Sequence, residues 1–139
     1  MTTHVFLDTA PLLFAVGDPH PDRAASRQLL AAAQRGELRL HVSAEAVQEF
    51  AHHRLRRTTR AEAVAQTRDV LALCDVHAMG GEVLRRALAL IETTPMRVRD
   101  AVHAATALSE GFDHIITTDA DFDVVPGLRR IAPLDAGSI

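Results

Sequence analysis

Four short apolar runs, HVFLD (4–8), LRLHV (38–42), HIITT (114–118) and RIAPL (130–134), are separated by longer stretches with helical spacing. This alternation is the strongest constraint on the fold. Strands that follow one another only after a helix pair in parallel through crossovers, and a parallel sheet needs helices over both faces. The expected fold is therefore α/β, a parallel-sheet α/β/α sandwich, with residues 1–139 forming a single domain because no linker interrupts the pattern.

The helical stretches carry their own punctuation. PLLFAVG reads as a short helical turn and DPHP (18–21) as a loop. Asp22 to Gln34 places Ala25, Leu29, Ala32 and Ala33 on one face, and Gly36 ends it. Ser43 suits the N-cap of a helix running to about Arg57, which Thr58 and Thr59 break before another from Arg60 to Leu73. Gly80 and Gly81 open a helix to about Ile91. After the break at 93–95, Val98 to Glu110 packs through Val98, Ala101, Val102, Ala105 and Leu108, and Gly111 caps it.

Composition excludes several chemistries. All fifteen basic residues are Arg, so a Schiff-base, P-loop or general-base lysine is impossible. The net charge of −3 gives no global attraction for nucleic acid, which leaves the local distribution to decide. Cys74, the only cysteine, rules out an internal disulfide and reads as a buried inert thiol in VLALC. The amino terminus lacks the basic start of a signal peptide, and no stretch approaches the ~20 apolar residues of a membrane span. A cytoplasmic location without membrane association is expected.

In open parallel sheets, ligands bind beyond the carboxyl ends of the strands. Asp8 ends the first apolar run and Asp119 follows the third, with Asp121 and Asp123 just beyond it. Each has a simpler reading, Asp8 as a helix cap and Asp119 as the start of an Asx turn. EF-hand spacing does not fit the second cluster. Glu49 lies past the first turn of its helix between Val47 and Phe50, where solvation explains it poorly, whereas Glu45 is accounted for by the helix dipole. Asp100 opens the helix RDAVHAATAL, where capping is a serious alternative, and His103 stands three residues on. On residue types alone this is a metal-dependent phosphotransfer or hydrolase site. Spacings of 41, 51 and 19 residues do not show that the acids meet.

Four segments in order resemble the motifs of the PIN-domain family, specifically its VapC-type toxins: VFLDTAPLL, HVSAEAVQEF, RDAVHAATAL and IITTDADF. The resemblance spans residues 4–122; the stretch from about 58 to 93 matches only as helices. It implies a PIN-like sandwich and a Mg²⁺- or Mn²⁺-dependent endoribonuclease, acting as the toxin of a type II toxin–antitoxin pair. A small cognate antitoxin and a homodimer come with it. Asp8, Glu49, Asp100 and Asp119 take the acidic catalytic and metal-binding roles, with Asp121 as a further ligand at a variable position. Thr9 and Thr117 would support them, and His103 would bond a ligand or substrate.

Residues 50–61 hold Arg54, Arg56, Arg57 and Arg60 with no acid among them. They read either as a phosphate-contacting arm for RNA or as a solvated helix end. Two other functions fit parts of the sequence. A non-catalytic PIN-like module that binds RNA or protein would not need an intact acid set. An aspartate-dependent phosphatase of the haloacid-dehalogenase type wants a second Asp where Ala10 stands, and a receiver domain wants a Lys.

Overall fold

The computed structural model describes residues 1–139. Five strands form the sheet: β1 (Thr3–Phe6), β2 (Leu38–Ser43), β3 (Cys74–His77), β4 (His114–Ile116) and β5 (Arg129–Ile131). Every pairing is parallel. The β1–β2–β3 and β4–β5 ladders meet at a bridge between Leu7 and Ile116, so the order across the sheet is β3-β2-β1-β4-β5.

Six helices make the crossovers. α1 (Thr9–Val16) and α2 (Arg23–Gln34) link β1 to β2; α3 (Ala44–Arg57) and α4 (Arg60–Leu73) link β2 to β3; α5 (Gly81–Thr93) and α6 (Val98–Ser109) link β3 to β4. Alternation along the strands sorts the core. Val5, Leu7, Leu40 and Val42 pack with Leu12, Leu29, Phe50 and Val70 of the first four helices. Phe6 and Ile115 face the other way onto Val83, Ala87, Ala101 and Ala105 of α5 and α6. The α/β/α sandwich expected from the sequence is thus formed.

Local chemistry explains the boundaries. Ser43 caps α3 by accepting from the Ala46 amide at 3.1 Å, and Thr59 caps α4 by accepting from the Glu62 amide at 3.2 Å. Gly36 and Gly111 follow α2 and α6 at φ 78° and 85°, conformations that a side chain would strain.

The third strand, β3, is not expected from the sequence: CDVH alternates apolar and polar, but over only four residues and directly after α4 with no turn between, so it reads as the end of that helix. It becomes a strand because β2 offers it a ladder, with Arg39 bridging to Asp75 across the edge. The last strand is also shorter than 130–134: it ends at Ile131, and Pro133 starts a 3-10 turn, Pro133–Ser138. A second such turn, Ala120–Val124, follows β4. Cys74 is buried at 6% exposure, and burial pushes its thiol up to about 12, which keeps it a neutral thiol. No helix is long and apolar enough to cross a membrane.

Toward β3, the sheet face shared with α6 is finished by imidazoles. His4 Nδ1 lies 2.8 Å from His41 Nε2, and His41 Nδ1 lies 2.8 Å from His77 Nε2, which makes a hydrogen-bonded row across three strands. Phe112 closes over it, 5.0 Å from the His41 ring.

Candidate active site

The chain leaves β1 for β2 on one side and returns through β4 on the other. The carboxyl ends of β1 and β4 therefore border the crevice where strand order reverses. Asp8 emerges from β1 there and caps α1: its Oδ1 accepts from the Thr9 amide at 2.7 Å. Its Oδ2 accepts from the Thr117 hydroxyl at 2.9 Å, and that same hydroxyl accepts from the Asp119 amide at 3.1 Å. Asp8 is thus both a helix cap and part of the acidic group. At 7% exposure it is buried.

Asp100 lies in the first turn of α6, but Arg97 occupies the N-cap position and Asp100 makes no capping bond. Carboxylate oxygens of Asp100, Asp119 and Asp121 lie within 4.8 Å of one another. Asp119 starts the 3-10 turn by accepting from the Asp121 amide at 2.9 Å, which turns the two carboxylates toward the same space. Asp123 points away, bonded twice to Arg130 at 2.9 and 3.0 Å.

Glu49 approaches from α3. Its Oε1 receives His103 Nε2 at 2.6 Å. His103 is 1% exposed, with Nδ1 2.7 Å from the Ser43 hydroxyl, and its Nε2 is 3.8 Å from Asp8 and 3.5 Å from the Thr9 hydroxyl. Because Ser43 Oγ is already an acceptor for Ala46, its hydrogen is free for Nδ1, and Nε2–H faces Glu49 whether the ring is neutral or charged. Ser43 therefore caps α3 and orients His103, a second role that its position in the sequence does not disclose.

Electrostatics follow this crowding. Burial, with the Asp8 and Asp119 carboxylates beside it, pushes Asp100 up to about 6. Burial also raises Asp8 against the opposing pull of His103. Burial disfavours charge on His103, but the Glu49 hydrogen bond and Asp8 outweigh it and the net shift is upward. Three oxygen-donor carboxylates in a half-open crevice, one of them short of positive charge, fit a hard divalent cation.

Two clefts of about 740 Å³ each flank the acids. One, lined by His52, His53, Arg56, Arg57 and Arg99, runs along α3. The other, lined by Met79, Leu84, Arg97, Arg99, Asp100 and Asp119, lies over α6. Glu45, Glu49 and Arg99 border both. Within the expected arginine arm, Arg56 and Arg57 line the first cleft. Arg54 does not: it is 7% exposed and donates to Gln66 Oε1 at 2.9 Å, so it ties α3 to α4. Arg60, on the first turn of α4, lines neither cleft. Arg97 and Arg99, both just before Asp100 in the stretch RVRD, are cleft residues that the sequence reading does not single out; basic residues beside a candidate metal acid are the signal that marks them.

Comparison with known proteins places this geometry. The PIN domain pattern matches residues 5–128. The chain is 34% identical to Ribonuclease VapC7 of Mycobacterium tuberculosis over 138 residues, covering 97% of this chain and 95% of the relative. Its fold resembles that of VapBC2 from Rickettsia felis bound to a DNA fragment from their promoter: TM-score 0.74, 12% identity, covering 94% of this chain and 98% of the other. It also resembles a toxin-antitoxin complex from Klebsiella pneumoniae, with TM-score 0.70, 20% identity and coverage of 93% and 97%. Coverage of nearly the whole chain in sequence and in fold means that the protein belongs to the PIN-domain family, among the VapC ribonucleases.

Proposed function

We propose that this chain is a divalent-metal-dependent endoribonuclease, the toxin of a type II toxin–antitoxin pair, with its reaction centred on Asp8, Glu49, Asp100, Asp119 and Asp121. The observation that carries the reading is the convergence of Asp100, Asp119 and Asp121 oxygens within 4.8 Å at the strand-order reversal of a VapC-like chain. Mg²⁺ or Mn²⁺ would be held there by carboxylate oxygens, with Asp121 taking a place beside the other two.

When bound, such an ion supplies an acidified water and neutralises charge on the phosphate oxygens. The protein side chains do the rest. Thr117 fixes Asp8 and the start of the Asp119 turn through one hydroxyl. His103 holds Glu49 in place and is itself held by Ser43. Thr9 anchors Asp8 through its amide. Arg56 and Arg57 draw the RNA backbone along α3. The raised Asp100 holds a proton more readily than an ordinary carboxyl, and binding of a cation there would release it.

Partners follow from the same reading. A small cognate antitoxin would inhibit the enzyme, which is supported by the fold-level likeness to a toxin-antitoxin complex. A homodimer would use exposed apolar side chains such as Leu84 and Leu88 of α5. Light scattering on purified protein measures the latter. The decisive experiment is RNA cleavage by purified protein in Mg²⁺ or Mn²⁺. Activity is expected to disappear in chelator and in Asp8→Asn. Cleavage that survives both would reject the reading.

A further inference from the structure

Eight of the fifteen arginines donate a side-chain hydrogen bond: Arg23 and Arg27 to backbone carbonyls, the other six to side-chain oxygens. Of the seven that donate none, Arg56, Arg57, Arg97 and Arg99 line the two clefts beside the acids. A guanidinium left without a partner next to a cluster of carboxylates is poised for an anion brought from outside.

Arg99 is the most informative of the four. It borders both clefts, so it stands on the ridge between the arginine groove of α3 and the acidic crevice of α6. Its Nε is 3.8 Å from Glu49 Oε1, a long contact without a hydrogen bond, and the side chain is 65% exposed. Glu49 already has its close partner in His103 at 2.6 Å. Arg99 can therefore leave Glu49 without stranding it. Arg97 lines only the α6 cleft, as expected of a residue two positions away on a helix.

We infer that Arg99 is a phosphate-positioning residue: on the ridge where the two clefts meet it takes a phosphate next to the scissile bond, while Arg97 in the α6 cleft and Arg56 and Arg57 in the α3 cleft hold further phosphates of the RNA backbone. This rests on the nuclease reading.

The test measures binding and cleavage separately. Binding uses the Asp100→Asn protein, a fluorescent single-stranded oligoribonucleotide, and a salt titration in Mg²⁺. Against that background Arg99→Gln should flatten the salt slope by roughly 0.7 and the Arg56→Gln, Arg57→Gln pair by roughly 1.4. Cleavage uses the otherwise native chain. Arg99→Gln should lower kcat/KM at least about tenfold with a loss in kcat, whereas the Arg56, Arg57 pair should mainly raise KM. Arg99→Lys should restore the slope but not kcat. Arg68→Gln, an exposed arginine on α4 without a hydrogen bond, should change nothing. An unchanged slope and unchanged kcat/KM in Arg99→Gln overturn the inference. If the native chain binds RNA with an Arg99-dependent slope yet never cleaves, the nuclease reading fails and the contact stands.

Discussion

Two groups of titratable side chains, the imidazole row across β1, β2 and β3 and the acids at the carboxyl ends of β1 and β4, are built in opposite ways. The row His4–His41–His77 closes its own hydrogen bonds, with both nitrogens of His41 engaged at 2.8 Å and Asp75 and Glu110 beside its members. The acidic group is closed only in part, by Thr9 and Thr117 on Asp8 and His103 on Glu49. Asp100 makes no hydrogen bond and shares its crevice with the carboxylates of Asp119 and Asp121. A polar cluster that satisfies itself behaves as part of the scaffold, whereas one that repels itself is kept for a ligand.

The largest expected contrast is in activity. Asp100→Asn should reduce RNA cleavage at least about a hundredfold, on the order of 3 kcal/mol of transition-state stabilisation. His41→Gln should stay within about twofold of wild type. Comparable losses in both, measured by initial rates in Mg²⁺, would erase the distinction.

Stability should move in opposite directions. His41→Ala leaves His4 Nδ1 and His77 Nε2 without partners and should destabilise the fold by about 2 kcal/mol, several degrees in Tm. Asp100→Asn in chelator removes a repelled charge at nearly constant shape. It should melt above wild type, by about 1 kcal/mol once solvent screening of this half-buried group is allowed for. Divalent metal should then stabilise wild type more than the variant. An Asp100→Asn protein that melts lower in chelator would point to a structural Asp100.

The two groups should also respond to pH with opposite signs. Asp100 rises from 3.8 to about 6 on folding, so the folded chain binds more protons in that interval and metal-free stability falls as pH climbs through it. His41 shifts down from 6.5, chiefly by burial, so the unfolded chain binds more protons there and stability rises with pH just below 6.5. Tm against pH in chelator, for wild type, Asp100→Asn and His41→Gln, separates the two slopes. Each variant should lose its own limb only.

The smallest effect sharpens the edge of the acidic group. Asp123→Asn loses only the bond to Arg130 and should keep cleavage within about twofold, whereas Asp121→Asn should weaken metal dependence measurably. Equal cleavage and equal metal titrations in the two variants would take Asp121 out of the centre.

The alternation of apolar runs and helical spacing was enough to determine a parallel sandwich, because burial on both faces forces the strand centres Val5–Leu7 and Ile115–Ile116 to be apolar. Strand ends were legible too, since a carboxylate directly after VFL or IITT has few inexpensive explanations. What the sequence withheld depends on partners far along the chain. CDVH becomes a strand only beside β2, and the His4–His41–His77 row exists only because three strands set it in register. Arg54 and Arg56 look alike in the sequence, yet a helix turns one inward onto Gln66 and the other toward the cleft. Asp121 and Asp123 are likewise two residues apart, and a 3-10 turn sends one to the acids and the other to Arg130. Side-chain type and period are local quantities that can be read along a chain. Direction and partner are set by the packing of segments tens of residues apart, and only the tertiary structure decides them.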